Sequence, residues 1–155
     1  MKHGPVLVLA AAALLCTTMF VLFARTGTEP AARSAVLDGN DSLVLTSSGE
    51  LASALSIFLQ GSLSIAPTSF GDGLRCAGGV LRRLYVKNAS GGTVIVPQSG
   101  DASISARSAA LGNVIQVGAT RVCQVYYRDS NLGFCPPPMG DAWNVSNGLR
   151  IGWLP

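Results

Sequence analysis

The stretch VLRRLYVKNASGGTVIV, residues 80–96, decides the fold class of this chain. Two runs of branched and aromatic residues, Val80 to Val86 and Thr93 to Val96, flank Asn88-Ala89-Ser90-Gly91-Gly92, whose residue types favour a turn. This is the pattern of two short strands joined by a tight connection. Outward from it the texture repeats. Leu43 to Leu45, Ala54 to Gln60, Ile104 to Ala106, Val114 to Val117, Arg121 to Tyr127 and Gly148 to Trp153 read as further strands. Gly71-Asp72-Gly73, Gln98-Ser99-Gly100-Asp101 and Ser146-Asn147-Gly148 read as turns. Ser53 to Leu59 also fits a helix, but no long amphipathic helical pattern occurs beyond residue 40. About eight strands at this spacing predict an all-β fold, an antiparallel β-sandwich or jelly-roll-like domain.

Composition agrees. Charged residues are 12% against a typical quarter, and 18 glycines fill the space between apolar runs. The net charge of +3 is small, and Arg82-Arg83 is the one adjacent basic pair. Without a basic stripe or interleaved aromatics, no nucleic-acid partner is expected.

Ahead of the β region, Val6 to Ala24 is uninterruptedly free of charge and mostly apolar. As a helix these nineteen positions would extend roughly 28 Å, close to the hydrocarbon thickness of a bilayer. Lys2 supplies a positive flank, and Leu22-Phe23-Ala24 ends in a small residue suited to cleavage. The segment therefore reads equally as a signal peptide or as an uncleaved membrane anchor. Either places the β region on the periplasmic or cell-surface side of a membrane, anchored, or secreted. Cys16 lacks a small residue before it and reads as a buried apolar cysteine, not a lipidation site. The expected organisation is a leader or anchor at 1–24, a tether at 25–41 and a β domain at 42–155.

The chemistry available to that domain is narrow. The one histidine, His3, precedes the apolar segment, which removes Ser-His-Asp and Cys-His arrangements from the exported part. The carboxylates sit in turns or in the tether, where Asp serves the backbone. Asp38-Gly39-Asn40-Asp41 lacks the ligand spacing of a calcium loop. No enzyme activity, no cofactor and no metal are expected.

Cys76, Cys123 and Cys135 remain outside the apolar segment, and in an oxidising compartment two of them pair. Cys76 with Cys135, both in turn-rich segments, is the favoured bridge. Cys123 with Cys135 is the competitor. Cys123 alternates with Val125 and Tyr127 on one strand face and otherwise reads as a buried free thiol.

A set of segments in the second half carries a resemblance: FGDGLRCAGG at 70–79, LRRL at 81–84, VYYRD at 125–129, Phe134-Cys135 and WNVSNGL at 143–149. Their order resembles a C-terminal domain of secreted proteins of planctomycetes and related bacteria, over roughly residues 43–154. The resemblance implies an extracytoplasmic β-sandwich and brings no activity with it. It also implies that the cysteines at positions 76 and 135 occur together, and that an aromatic is usual where this chain has Cys123.

The functional expectation is a membrane-tethered accessory module that docks onto a larger assembly, with protein partners at a membrane surface and the bilayer itself engaged by the N-terminal helix. The alternative is a carbohydrate-binding or adhesion module, for which Trp143, Tyr126, Tyr85 and Trp153 are the candidate stacking rings. Asn88-Ala89-Ser90 and Asn144-Val145-Ser146 match the acceptor sequence for N-glycosylation.

Overall fold

The computed structural model describes residues 41–130 and 141–155 together with the backbone of two N-terminal strands, β1 (Val21–Thr26) and β2 (Ser34–Val36). Val6, Cys16 and Cys135 lie outside the described residues. Seven further strands complete the sheets: β3 (Leu43–Ser48), β4 (Leu55–Phe70), β5 (Gly73–Asn88), β6 (Thr93–Val96), β7 (Thr120–Arg128), β8 (Trp143–Val145) and β9 (Leu149–Leu154), with one helix, α1 (Ile104–Ala110), between β6 and β7. They form two sheets, β1-β3-β6 and β2-β9-β7-β4-β5, with β8 also paired to β7. All pairings are antiparallel except β2 with β9. The chain is thus all-β in two sandwich-like sheets.

The core follows from strand alternation. In β3, Leu43, Leu45 and Ser47 point inward. In β7, Cys123, Val125 and Tyr127 point the same way and meet Phe58 of β4, Ile151 and Trp153 of β9, and Val94 and Val96 of β6. Burying an aromatic of this size contributes roughly 2–3 kcal/mol from area alone.

Three expectations are corrected. Ile104 to Ala106 is helical, not a strand. Ser103 caps α1, its hydroxyl accepting from the Ala106 N–H, and alanine-rich ISARSAA carries the helix onward. Val114 to Val117 lies in no strand; Ile115 alone among these side chains is buried. The span 61–79, which holds the expected Gly71-Asp72-Gly73 turn but no expected strand, is the outer half of one long hairpin, since β4 and β5 each run 16 residues. Backbone pairing also reaches ahead of residue 41. Val21–Ala24, the end of the apolar run, begin β1 and pair with β3, while Ser34–Val36 of the expected tether pair with Gly152–Leu154. Among the described residues no helix is long and apolar enough to cross a membrane.

The exposed margin of β5 is closed by the segment around α1. Arg107 Nε donates to the Leu84 carbonyl at 2.8 Å, Arg82 Nε to the Leu111 carbonyl at 2.8 Å, and the Tyr85 hydroxyl to the Ala102 carbonyl at 2.7 Å. Lys87 and Asp101 add an ion pair at 2.8 Å. Covering a sheet margin in this way blocks unwanted pairing with another chain.

Candidate functional site: the folded-back hairpin

The long hairpin does not project into solvent. Its outer half bends back across the face of β7 opposite the core. Register shifts after Phe58, Gly61 and Ser64 produce the bend. Gly61 and Gly78 permit it, because a Cβ on Gly61 would fall 2.6 Å from the Gly78 oxygen and 2.7 Å from its nitrogen. Backbone therefore meets backbone where any side chain would separate them. Pro67 sits in the irregular stretch between Ser64 and Thr68, where the ladder is already broken and its missing N–H costs little.

The underlying face of β7 presents Val122, Gln124 and Tyr126, beside Leu59 and Ile57 of β4. Gln124 is 1% exposed, and all its amide bonds go to the folded layer or its neighbour. Its Oε1 accepts from the Cys76 N–H at 3.0 Å and the Ala77 N–H at 3.4 Å. Its Nε2 donates to the Leu74 carbonyl at 2.8 Å and the Ser146 carbonyl at 2.7 Å. A buried amide so placed is satisfied through both ends and holds the hairpin against the sheet.

Ser146 explains the order of WNVSNGL. β8 and β9 pair in succession with the same side of β7, and Ser146 bridges the break between them. Its N–H donates to the Val125 carbonyl at 2.8 Å, while its hydroxyl accepts from the Val125 N–H at 2.9 Å. One serine thus supplies what a paired residue would. Asn144 Oδ1 accepts from the Val145 N–H at 2.7 Å, and Gly148 lies against Cys76.

At the hairpin tip three half-buried rings meet edge to face. Phe70 lies 4.3 Å from Trp143 at 72°, Tyr126 lies 4.9 Å from Trp143 at 89°, and Phe70 lies 6.0 Å from Tyr126 at 61°. The Arg75 guanidinium sits 5.3 Å over the Phe70 ring. Gly71, at φ +60°, packs under Trp143, and a Cβ there would fall 2.5 Å from that ring. The tip is tied further by the Asp72 N–H donating to the Trp143 carbonyl at 3.2 Å and by Asp72 Oδ1 accepting from the Asp141 N–H at 2.6 Å.

Of the candidate stacking residues, the structure brings Tyr126 and Trp143 together and separates the others. Trp153 is 1% exposed in the core. Tyr85, 6% exposed, lies on the core side because Leu84 is an extra residue opposite the Phe58–Leu59 step, so two successive side chains turn inward. Sequence reasoning passes over Phe70 and Gln124. FGDG marks Phe70 only as part of a turn, and a glutamine in an apolar strand is the one signal that points to Gln124.

Cys76 is a free thiol, and Cys135, its expected bridge partner, lies outside the described residues. The Cys76 backbone is held by Gln124 and its side chain faces Gly148. Cys123 is also free; burial pushes its thiol up to about 12, which leaves it a packing group and not a nucleophile.

Glu50, Asp41 and Asp101 serve neighbouring hydroxyls, backbone N–H groups and Lys87. Glu50 receives both Ser47 and Ser56 hydroxyls in a buried turn, and burial raises its pKa above the ordinary carboxylate value. Asp41 receives the Ser105 N–H at 2.8 Å. Asp101 is held low chiefly by its hydrogen bond from Lys87. Among the described residues no three His, Cys, Asp or Glu side chains converge on a point that would hold a metal. No family model, curated protein or solved structure matches this chain.

Proposed function

We propose that this chain is a membrane-tethered extracytoplasmic β module of sandwich type, in a bacterial cell envelope, that works by docking onto a larger assembly and not by turnover. The observation that supports it is the division of labour between polar and apolar side chains. Buried polar groups such as Gln124, Ser146, Gln60 and Glu50 are engaged in tying the fold. The outer half of the hairpin meanwhile exposes Leu63 (60%), Leu74 (54%) and Val80 (46%). Apolar side chains on a sparsely charged surface favour protein contact.

The test is fractionation of the full-length chain expressed in a Gram-negative host, with intact mass and protease accessibility from outside. A full-length mass in the membrane fraction with an accessible body is the expected result. A cytosolic chain would overturn the reading. Cross-linking then checks docking: Leu63→Ser with Val80→Ser should lower the yield of the cross-linked partner several-fold.

The carbohydrate alternative rests on the half-exposed Tyr126–Trp143 pair. Their edge-to-face geometry and the Gly71 backbone under Trp143 suit a tip lock better than a flat stacking platform.

A further inference from the structure

The sheet β1-β3-β6 places β1 outermost beside β3 along its whole length, from Val21↔Ser48 to Thr26↔Leu43. The first four residues of β1 are also the last four of the apolar stretch Val6 to Ala24. A helix in a bilayer uses each residue's own N–H and C=O within the segment, and a ladder uses the same groups between strands. Val21–Ala24 therefore cannot lie in a membrane helix and cover β3 at once. Insertion to Ala24 would strip the cover from Leu45–Ser48 and leave only Arg25↔Val44 and Thr26↔Leu43.

The margin this uncovers differs from those of β5 and β6. Leu43–Ser48 contains no charge, no proline and no glycine. The margin of β5 is closed by Arg82, Arg107 and Tyr85, and β6 runs directly into Pro97. β3 lacks every such guard. It is also held straight from behind, since Leu43, Leu45 and Ser47 are each 1% exposed or less and Leu45–Ser48 stay paired to β6. A rigid, uncharged, six-residue margin is a template for an incoming strand.

We propose that β3 is a strand-accepting docking edge, closed in cis by Val21–Thr26 and opened when Val21–Ala24 enter a bilayer, whereupon it pairs antiparallel with an extended, uncharged segment of a protein partner. The chemistry of that partner is given by the strand seated there now, VLFART, whose first four residues carry no charge. The opening step rests on the anchored reading above; the edge itself does not.

The test uses the full chain carrying Phe23→Pro, placed opposite Thr46 in the middle of β1 to weaken its pairing with β3. The probe is a fluorescein-labelled peptide of residues 21–28. The Phe23→Pro chain should bind it at least tenfold more tightly than the parent chain, whose edge is occupied. Adding Val44→Pro, at a β3 position paired to β1 and outside the β3–β6 register, should weaken binding. Equal binding to parent and Phe23→Pro chains, or none to either, overturns the proposal. Amide hydrogen exchange on the unmodified chain gives a second measure that needs no variant. Protection of Leu43–Ser48 should fall at least tenfold on reconstitution into phosphatidylethanolamine–phosphatidylglycerol nanodiscs, while Val122–Tyr127 stay protected. Unchanged β3 protection in chains that have inserted overturns the opening step. Chains that do not insert refute the anchored reading and with it the opening step, leaving the peptide measurement to decide the edge.

Discussion

The two faces of β7 are held by different physics. On the inner face Cys123, Val125 and Tyr127 pack against Phe58, Ile151 and Trp153 in an apolar core that needs only volume and alternation. On the outer face the folded hairpin is held by the Gln124 amide, by Asp72 and by a ring cluster, over a bend that two glycines allow. The comparison teaches that an apolar layer tolerates approximate shape, whereas a layer secured by directional bonds depends on individual atoms.

The largest expected effect breaks the inner face. Phe58→Ala removes a ring that is 1% exposed at the centre of the cluster. It should cost about 3–5 kcal/mol, seen as a global shift in denaturant midpoint with every probe moving together.

Gln124→Leu tests the outer face. It keeps the volume but leaves the Cys76 and Ala77 N–H groups and the Leu74 and Ser146 carbonyls without that partner. The loss should be about 1–3 kcal/mol. Hydrogen exchange should quicken in residues 63–80 well before it does in Val125 or Ile151. Equal quickening in both would show that the two faces unfold as one unit.

The smallest effect concerns charge. Glu50 has its pKa raised in the folded chain by burial, so its ionisation works against folding. Its contribution is present below the ordinary value of 4.5 and is lost as pH rises through the raised folded value. Urea midpoints measured across this range should fall with pH more steeply for the parent than for Glu50→Gln, whose side chain does not titrate. Parallel curves would remove Glu50 from the account.

The inner face is legible because strand alternation shows directly in sequence: RVCQVYY and GLRIGW carry it openly. The outer layer is not, for reasons that differ by residue. GSLSIAPTS does not stand out as a strand because it has one exposed side and contains both the glycine of the bend and the proline of an irregular stretch. Ile104 to Ala106 contains a branched residue that suggests a strand, and the Ser103 cap and the alanines after it outweigh that preference. Tyr85 changes face because a single extra residue, Leu84, resets the alternation. No local pattern announces a bulge of this kind, since it depends on the partner strand. The candidate site is half visible in the sequence: Tyr126 and Trp143 stand out there, whereas the residues that fix them, Phe70 and Gln124, emerge only through the tertiary path of the hairpin.

The amide of Gln124 has a consequence for the environment in which the outer layer can persist. A neutral carboxamide neither gains nor loses a proton over the range that proteins meet, and dissolved ions do not shield its short dipolar bonds as they shield separated charges. The flap it fastens should therefore stay shut in acid and in brine alike, while contacts such as Lys87 with Asp101 come and go with the surroundings.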